Sequence, residues 1–88
     1  MRVKLTDAFI ADELVCPPGR RKIEFVDISD AVGLYVEVKA SRPGVGVYRY
    51  RFRDKGGTTR HAQIGQTTDI SLDDARKQAK AMRAKVTL

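Results

Sequence analysis

The most constraining feature of this sequence is a strict alternation of aromatic and basic residues near its middle. Residues 47–53 read Val-Tyr-Arg-Tyr-Arg-Phe-Arg, so three aromatic residues alternate with three arginines. Successive side chains of a β-strand point to opposite faces, whereas a helix would spread both sets around its surface. The pattern therefore predicts a strand with Tyr48, Tyr50 and Phe52 in the core and the arginines on the opposite face.

Two neighbouring segments carry strand patterns and are expected to pair with this strand. Leu34–Lys39 alternates apolar with polar residues, and residues 59–64 return after a turn in which Gly56 and Gly57 supply the backbone angles of a tight reversal. Together the three segments predict an antiparallel meander with one buried and one exposed face. The exposed face would carry Tyr35, Glu37, Lys39, Arg49, Arg51, Arg53, Thr59, His61 and Gln63.

Helices are predicted on either side of the meander. Thr6 is a suitable N-cap for a short helix over residues 6–14, and Ser71 is one for a longer helix near the C-terminus. One apolar stripe runs along the longer helix at steps of three and four residues: Leu72, Ala75, Ala79, Met82 and Val86. Residues 23–28 are a short strand candidate. We expect an α+β fold, a three-stranded antiparallel β-sheet packed on a C-terminal α-helix, with a short N-terminal helix and strand at an edge.

The position of the positive charge is more informative than its size. The chain carries a formal net charge of +6 over 88 residues, and residues 39–61 hold all of this excess with a single acid, Asp54. The seven cations of this segment are Lys39, Arg42, Arg49, Arg51, Arg53, Lys55 and Arg60. Such crowding favours a polyanionic partner, although a solvated sheet face covered by long side chains would show a similar pattern.

Catalytic and metal-binding patterns are missing from the sequence. Cys16 and His61 are its only cysteine and histidine, and it contains no paired-carboxylate or nucleophile–base constellation. It also has no apolar run long enough to span a bilayer. We therefore expect a cytoplasmic protein that is not an enzyme and has no cofactor, no metal, no membrane contact and no small-molecule substrate.

Five short motifs follow one another in a recognisable order. They are Leu-Thr-Asp at residues 5–7, Gly-Leu-Tyr-Val-Glu-Val at 33–38, Tyr-Arg-Tyr-Arg-Phe at 48–52, Ile-Gly at 64–65 and Ile-Ser-Leu-Asp-Asp-Ala-Arg at 70–76. Over nearly its whole length the chain resembles the N-terminal arm-type DNA-binding domain of phage and genomic-island integrases, which are tyrosine recombinases. The Ser-Leu-x-x-Ala-Arg passage is the most specific part of the resemblance.

The resemblance implies an accessory module rather than a catalytic one. In that family a three-stranded sheet backed by a helix enters the major groove at arm-type sites, and a separate domain supplies the tyrosine nucleophile. The chain would then be a single domain over residues 1–88, the N-terminal part of a longer integrase, acting with other integrase subunits on double-stranded DNA at the bacterial nucleoid. The expected DNA-binding residues are Tyr35, Lys39, Arg42, Arg49, Arg51, Arg53, Lys55, Thr59, Arg60, His61 and Gln63.

Two other classes of partner stay open at this point. The arginine face or the C-terminal helix could dock onto a recombinase subunit or an accessory protein. A single-stranded RNA binder would need exposed aromatic rings on which bases stack, and only Tyr35 is predicted on the exposed face.

Overall fold

The sheet has five strands, two more than predicted. The structure is a computed structural model that describes residues 1–87, with side chains as far as Lys85. The strands lie side by side in chain order: β1 (Arg2–Val3), β2 (Lys22–Asp27), β3 (Leu34–Lys39), β4 (Gly46–Arg53) and β5 (Thr59–Gln66). Strand β1 pairs parallel with β2, and all other neighbours are antiparallel. The α+β class is confirmed, and the strand number is corrected.

Strand β2 accounts for most of this difference. The sequence predicts the strand itself but not its place beside β3, where Phe25 lies opposite Val36. The chain reverses between the two strands through a loop that ends at Gly33, whose φ of +95° is strained for any residue with a Cβ. Alternation along β2 buries Ile23, Phe25 and Asp27 on the side of the core, so the remaining residues of β2 face the other way.

The first strand is parallel to β2, so the chain has to cross over between them, and a short helix lies in this connection. Helix α1 (Asp7–Asp12) is shorter than predicted, but Thr6 caps it as predicted, its Oγ1 accepting a hydrogen bond from the Phe9 amide at 3.1 Å. The Phe9 ring packs edge-on against Phe25, with ring centroids 5.0 Å apart. This contact places α1 on the same side of the sheet as the core.

Helix α2 (Leu72–Thr87) covers the core side of the sheet. Its N-cap is Ser71, as predicted, whose Oγ accepts a hydrogen bond from the amide of Asp74 at 3.1 Å. The buried part of its stripe consists of Leu72, Ala75 and Ala79, and the small alanines allow close approach to the sheet. The side chain of Val86, the last residue of the predicted stripe, lies outside the described residues. No helix within residues 1–87 is long and apolar enough to cross a membrane.

The aromatic residues of β4 form the central part of the core, as the alternation predicts. Tyr48 and Tyr50 are buried between the sheet and α2, and Phe52 packs against them at the margin. Burial raises the pKa of Tyr48 to about 12, so its hydroxyl is neutral throughout the physiological range.

A buried ion pair fastens α2 to the sheet. The Nε atom of Arg76 donates to Oδ2 of Asp27 at 3.0 Å, and its Nη2 donates to the carbonyl oxygen of Leu5 at 2.6 Å. Oδ1 of the same carboxylate accepts from the backbone amides of Leu5 and Ser29, each at 3.2 Å. The Asp27 side chain has no exposed surface. One carboxylate and one guanidinium therefore join the start of α1, the end of β2 and the first turns of α2.

The ionised form of Asp27 contributes to stability. Burial tends to raise its pKa, but hydrogen bonds from Arg76, Ser29 and Leu5 outweigh this and hold the pKa below the ordinary value of 3.8. A carboxyl group with a lowered pKa stabilises the fold above its unfolded pKa, and this contribution is lost as the pH falls through the folded pKa.

We expect Asp27→Asn to lower the free energy of unfolding by about 3 kcal/mol at pH 7, because Arg76 would lose its counter-charge in a half-buried place. The difference between the wild-type protein and the variant should shrink as the pH falls below 3.8, the ordinary pKa of the unfolded chain, towards the lower pKa of the folded carboxylate. Urea denaturation at pH 7 and at pH 3 measures both effects.

Asp30→Asn is the matched control. Asp30 lies in the loop after β2 and pairs with Lys80 of α2 at 2.8 Å, but this pair is largely exposed. Its removal should change the urea midpoint little. Equal losses in the two variants would contradict the anchoring role of Asp27.

Candidate nucleic-acid interface

The side of the sheet opposite α2 is uncovered, and we call it the open face. The strand register sets its rows: Tyr35 lies opposite Arg49, which lies opposite Gln63, and the next row pairs Arg51 with His61. The open face consists of Lys22, Glu24, Val26, Tyr35, Glu37, Lys39, Val47, Arg49, Arg51, Arg53, Thr59, His61 and Gln63. All nine residues that the sequence places on the exposed side lie on this face, strand β2 adds three more, and Val47 of β4 completes the list.

Most cations of the central segment have no acid partner. Within residues 1–87, the ion pairs at 4.0 Å or less engage only Arg51 and Arg60 from this segment. The five cations without such a pair are Lys39, Arg42, Arg49, Arg53 and Lys55. The excess charge is therefore available to an external anion.

Arg49 occupies the middle of the open face and is only half-exposed. Its Nε atom is buried and has no hydrogen-bond partner among the described residues. An unmet buried donor costs about 1–3 kcal/mol. An unpaired buried donor is expected where a side chain is positioned for a ligand rather than for the stability of the fold.

Tyr35 lies at the centre of the open face but is covered, so the prediction of an exposed aromatic ring is wrong. Only 2% of the residue is exposed. The guanidinium carbon of Arg51 lies 4.7 Å from its ring centroid, and a hydrogen bond of 2.7 Å joins its hydroxyl to Nδ1 of His61. A base could stack on this ring only by displacing Arg51, which argues against single-stranded RNA binding. Contact between Tyr35 and DNA stays a prediction.

Two glutamates lie among the cations, one more than predicted. Glu37, expected to be exposed, is buried, and its Oε2 lies 3.6 Å from Nζ of Lys22. Glu24 comes from β2, and its Oε1 lies 3.0 Å from Nη2 of Arg51. The alternation of Lys22 and Glu24 with buried Ile23 could have placed both residues on this face, had β2 been assigned to the sheet.

The β4–β5 turn is organised by Asp54. Its Oδ1 accepts from the amides of Gly56 and Thr58, each at 3.0 Å, and its Oδ2 pairs with Arg60. The hydrogen bond from Arg60, with those from the turn amides, lowers the pKa of Asp54. Of the two glycines in this turn only Gly57 has a positive φ, +80°, so the expectation that both supply unusual angles is corrected.

The turn therefore offers one unpaired cation, Lys55, rather than two. Arg60 lies opposite Phe52 in the register, which places it on the helix side of the sheet and beside its acid partner. Lys55 is exposed at the tip and has no ion pair among the described residues. Arg42 lies in the loop at the other end of β4, roughly 25 Å away for a strand of this length. Unpaired cations thus lie at both ends of the open face.

A basic, uncovered sheet face backed by a helix defines a polyanion-binding module of the α+β class. The family model of the arm DNA-binding domain matches residues 5–88. The chain belongs to this family, the domain found at the N-terminus of integrases. The family is a non-catalytic module that binds DNA in integrase-type recombination. No curated protein and no solved structure shows a significant match to the chain.

If Lys55 contacts a phosphate, Lys55→Ala should weaken binding to any duplex and flatten the dependence of log Kd on log salt by about one unit. The slope comes from titrating a 20-base-pair duplex of arbitrary sequence at several salt concentrations from about 50 to about 300 mM NaCl, a range over which counterion release changes the affinity measurably. Lys77→Ala removes the same charge from the exposed surface of α2 and should leave the slope unchanged. Equal slopes for both variants would remove Lys55 from the phosphate contacts.

Proposed function

We propose that this chain binds double-stranded DNA at the arm-type sites of a mobile element and so supports integration and excision by an integrase. The observation that carries the proposal is the set of unpaired cations on the open face and at both of its ends. Membership of the arm DNA-binding family identifies the polyanion as DNA.

The width of the sheet supports insertion into the major groove by part of it. Neighbouring strands lie about 4.8 Å apart, so β3, β4 and β5 span about 10 Å, whereas all five strands span about 19 Å. The major groove of B-DNA is about 12 Å wide. The three C-terminal strands fit this width, and they carry the unpaired cations. Strands β1 and β2 would then lie beside the groove rather than in it.

The side chains of the open face divide into two kinds of contact. Arg49, Arg51 and Arg53 follow one another about 7 Å apart along β4, and each guanidinium can form a bidentate contact with a guanine edge or a phosphate. Hydrogen-bonding groups for base edges flank them on β5: Thr59, His61 and Gln63. Residues at the ends and margins suit phosphate contacts: Lys39, Arg42 and Lys55.

The proposal places this domain at the N-terminus of a longer tyrosine recombinase whose catalytic domain lies further along the chain. Several such subunits would act together in the bacterial cytoplasm, at the nucleoid. Tethering to a second DNA-binding domain raises the effective concentration of each module. A modest affinity of this domain alone is therefore compatible with its role.

A second candidate is docking onto a recombinase subunit or an accessory protein. The observation that favours it is the loop between β2 and β3, where Ile28 and Val32 each expose about half of their surface. Chemical-shift mapping with a duplex separates the two functions. Shifts on β4 and β5 support DNA binding by the open face, and shifts confined to α2 and this loop support docking.

Arg51→Ala should weaken binding to a preferred duplex by about 1–3 kcal/mol, the range for one bidentate base contact. The preferred duplex is first selected from a random pool with the wild-type protein, and Kd is measured at constant salt. Arg20→Ala, which removes an exposed arginine from the loop before β2, should have little effect. A wild-type affinity in Arg51→Ala would show that Arg51 is not a base-reading residue.

A further inference from the structure

Glu24 is an acid on a face whose other partly or fully exposed charges are positive. Its carboxylate lies 3.0 Å from Nη2 of Arg51, and 31% of its side chain is exposed. On a surface that binds phosphates, a carboxylate lowers electrostatic affinity. Glu24 must therefore provide another advantage that compensates for this loss of affinity.

Stability is a weak reason. Arg51 is 41% exposed, so the Glu24–Arg51 pair is largely a surface ion pair. Exposed pairs of this kind contribute between about 0 and 1 kcal/mol. Replacing the acid with a neutral residue would lose little stability and would gain affinity for any duplex. The pair is better explained by what it does to Arg51.

Arg51 is held from two directions. The Tyr35 ring lies beneath its guanidinium, 4.7 Å from ring centroid to Cζ, and Glu24 engages Nη2 from the side. Tyr35 is itself fixed, because it is buried and bonded to His61 through its hydroxyl. A guanidinium with a fixed plane has lost most of the rotamer freedom that it would otherwise lose on binding.

The remaining donors of Arg51 suit a base edge better than a phosphate. A guanidinium has five N–H groups arranged in two forks that share Nη2, and the single contact with Glu24 uses only one N–H of Nη2, so one fork of two parallel donors is still free. Guanine offers two acceptors, O6 and N7, in the major groove, and an arginine fork matches them. A phosphate group would bring its negative charge close to the Glu24 carboxylate, whereas the neutral guanine edge would not.

We propose that Glu24 is a specificity-determining residue, which with Tyr35 holds Arg51 for a guanine-bearing base pair and penalises its contact with phosphate. This inference rests on the proposed function, since it requires DNA in contact with the open face. Glu24 acts through Arg51 and is a positioning residue. Its effect is to trade affinity for every duplex against preference for one.

Glu24→Gln tests the inference because it removes the charge and keeps a side chain of the same size. Kd is measured at one salt concentration for the duplex selected with wild-type protein and for a scrambled duplex of equal composition. The ratio of the Kd for the scrambled duplex to the Kd for the selected duplex should fall by about tenfold, the size of one bidentate base contact. Most of the fall should come from tighter binding of the scrambled duplex. Glu13→Gln makes the same change at the end of α1 and should leave the ratio unchanged.

A second measurement distinguishes positioning from a general structural effect. Each G·C pair of the selected duplex is replaced in turn by A·T, and the loss of affinity is recorded for wild type, Glu24→Gln and Arg51→Ala. Both variants should lose discrimination at the same base pair. A general structural effect would weaken binding to all duplexes together and would lower the urea midpoint of Glu24→Gln.

The possible outcomes separate this inference from the proposed function. An unchanged ratio in Glu24→Gln, or a loss at a base pair that Arg51→Ala does not affect, overturns the inference while wild-type DNA binding stands. A wild-type protein that binds no duplex, or selects no sequence from the pool, overturns the proposed function and the inference with it.

Discussion

The buried ion pair between Asp27 and Arg76 determines how the rest of the molecule is arranged. It joins residues 49 positions apart, and the same guanidinium also holds the backbone of Leu5. Because the carboxylate is fully buried, all of its partners must be in place together. The pair therefore fixes α2 across one face of the sheet. The opposite face stays uncovered, and it carries most of the unpaired cations on which the proposed DNA binding rests.

Charges on the two sides of the sheet have different surroundings. On the helix side, Asp27 and Asp30 each pair with a cation of α2. On the open face and at its ends, most cations have no acid partner within the described residues, so the free protein bears their mutual repulsion. A fold selected for stability alone would disperse these charges. Duplex DNA carries one negative charge per about 1.7 Å of its axis and would neutralise them.

The alternation of residues 47–53 is sufficient to predict β4 and the face on which its arginines lie, because a period of two is a local signal, and the patterns of the neighbouring segments add its pairing with β3 and β5. The place of β2 is not predictable in this way. Asp27 interrupts its apolar residues, and the reason for that acid, Arg76, lies far along the chain. The burial of Tyr35 has a similar origin. Strand periodicity shows the face on which a side chain lies, but not that Arg51 and His61 cover it.

Strand β2 connects the stability of the fold with the chemistry of the open face. Its side chains alternate, so Asp27 points towards α2 while Glu24 lies beside Arg51 on the other side. A slip of one residue in the pairing of β2 with β3 would exchange the two faces, exposing Asp27 and withdrawing Glu24 from Arg51. The ion pair with Arg76 opposes such a slip. The acid that anchors the helix therefore also keeps the acid of the open face in position beside Arg51.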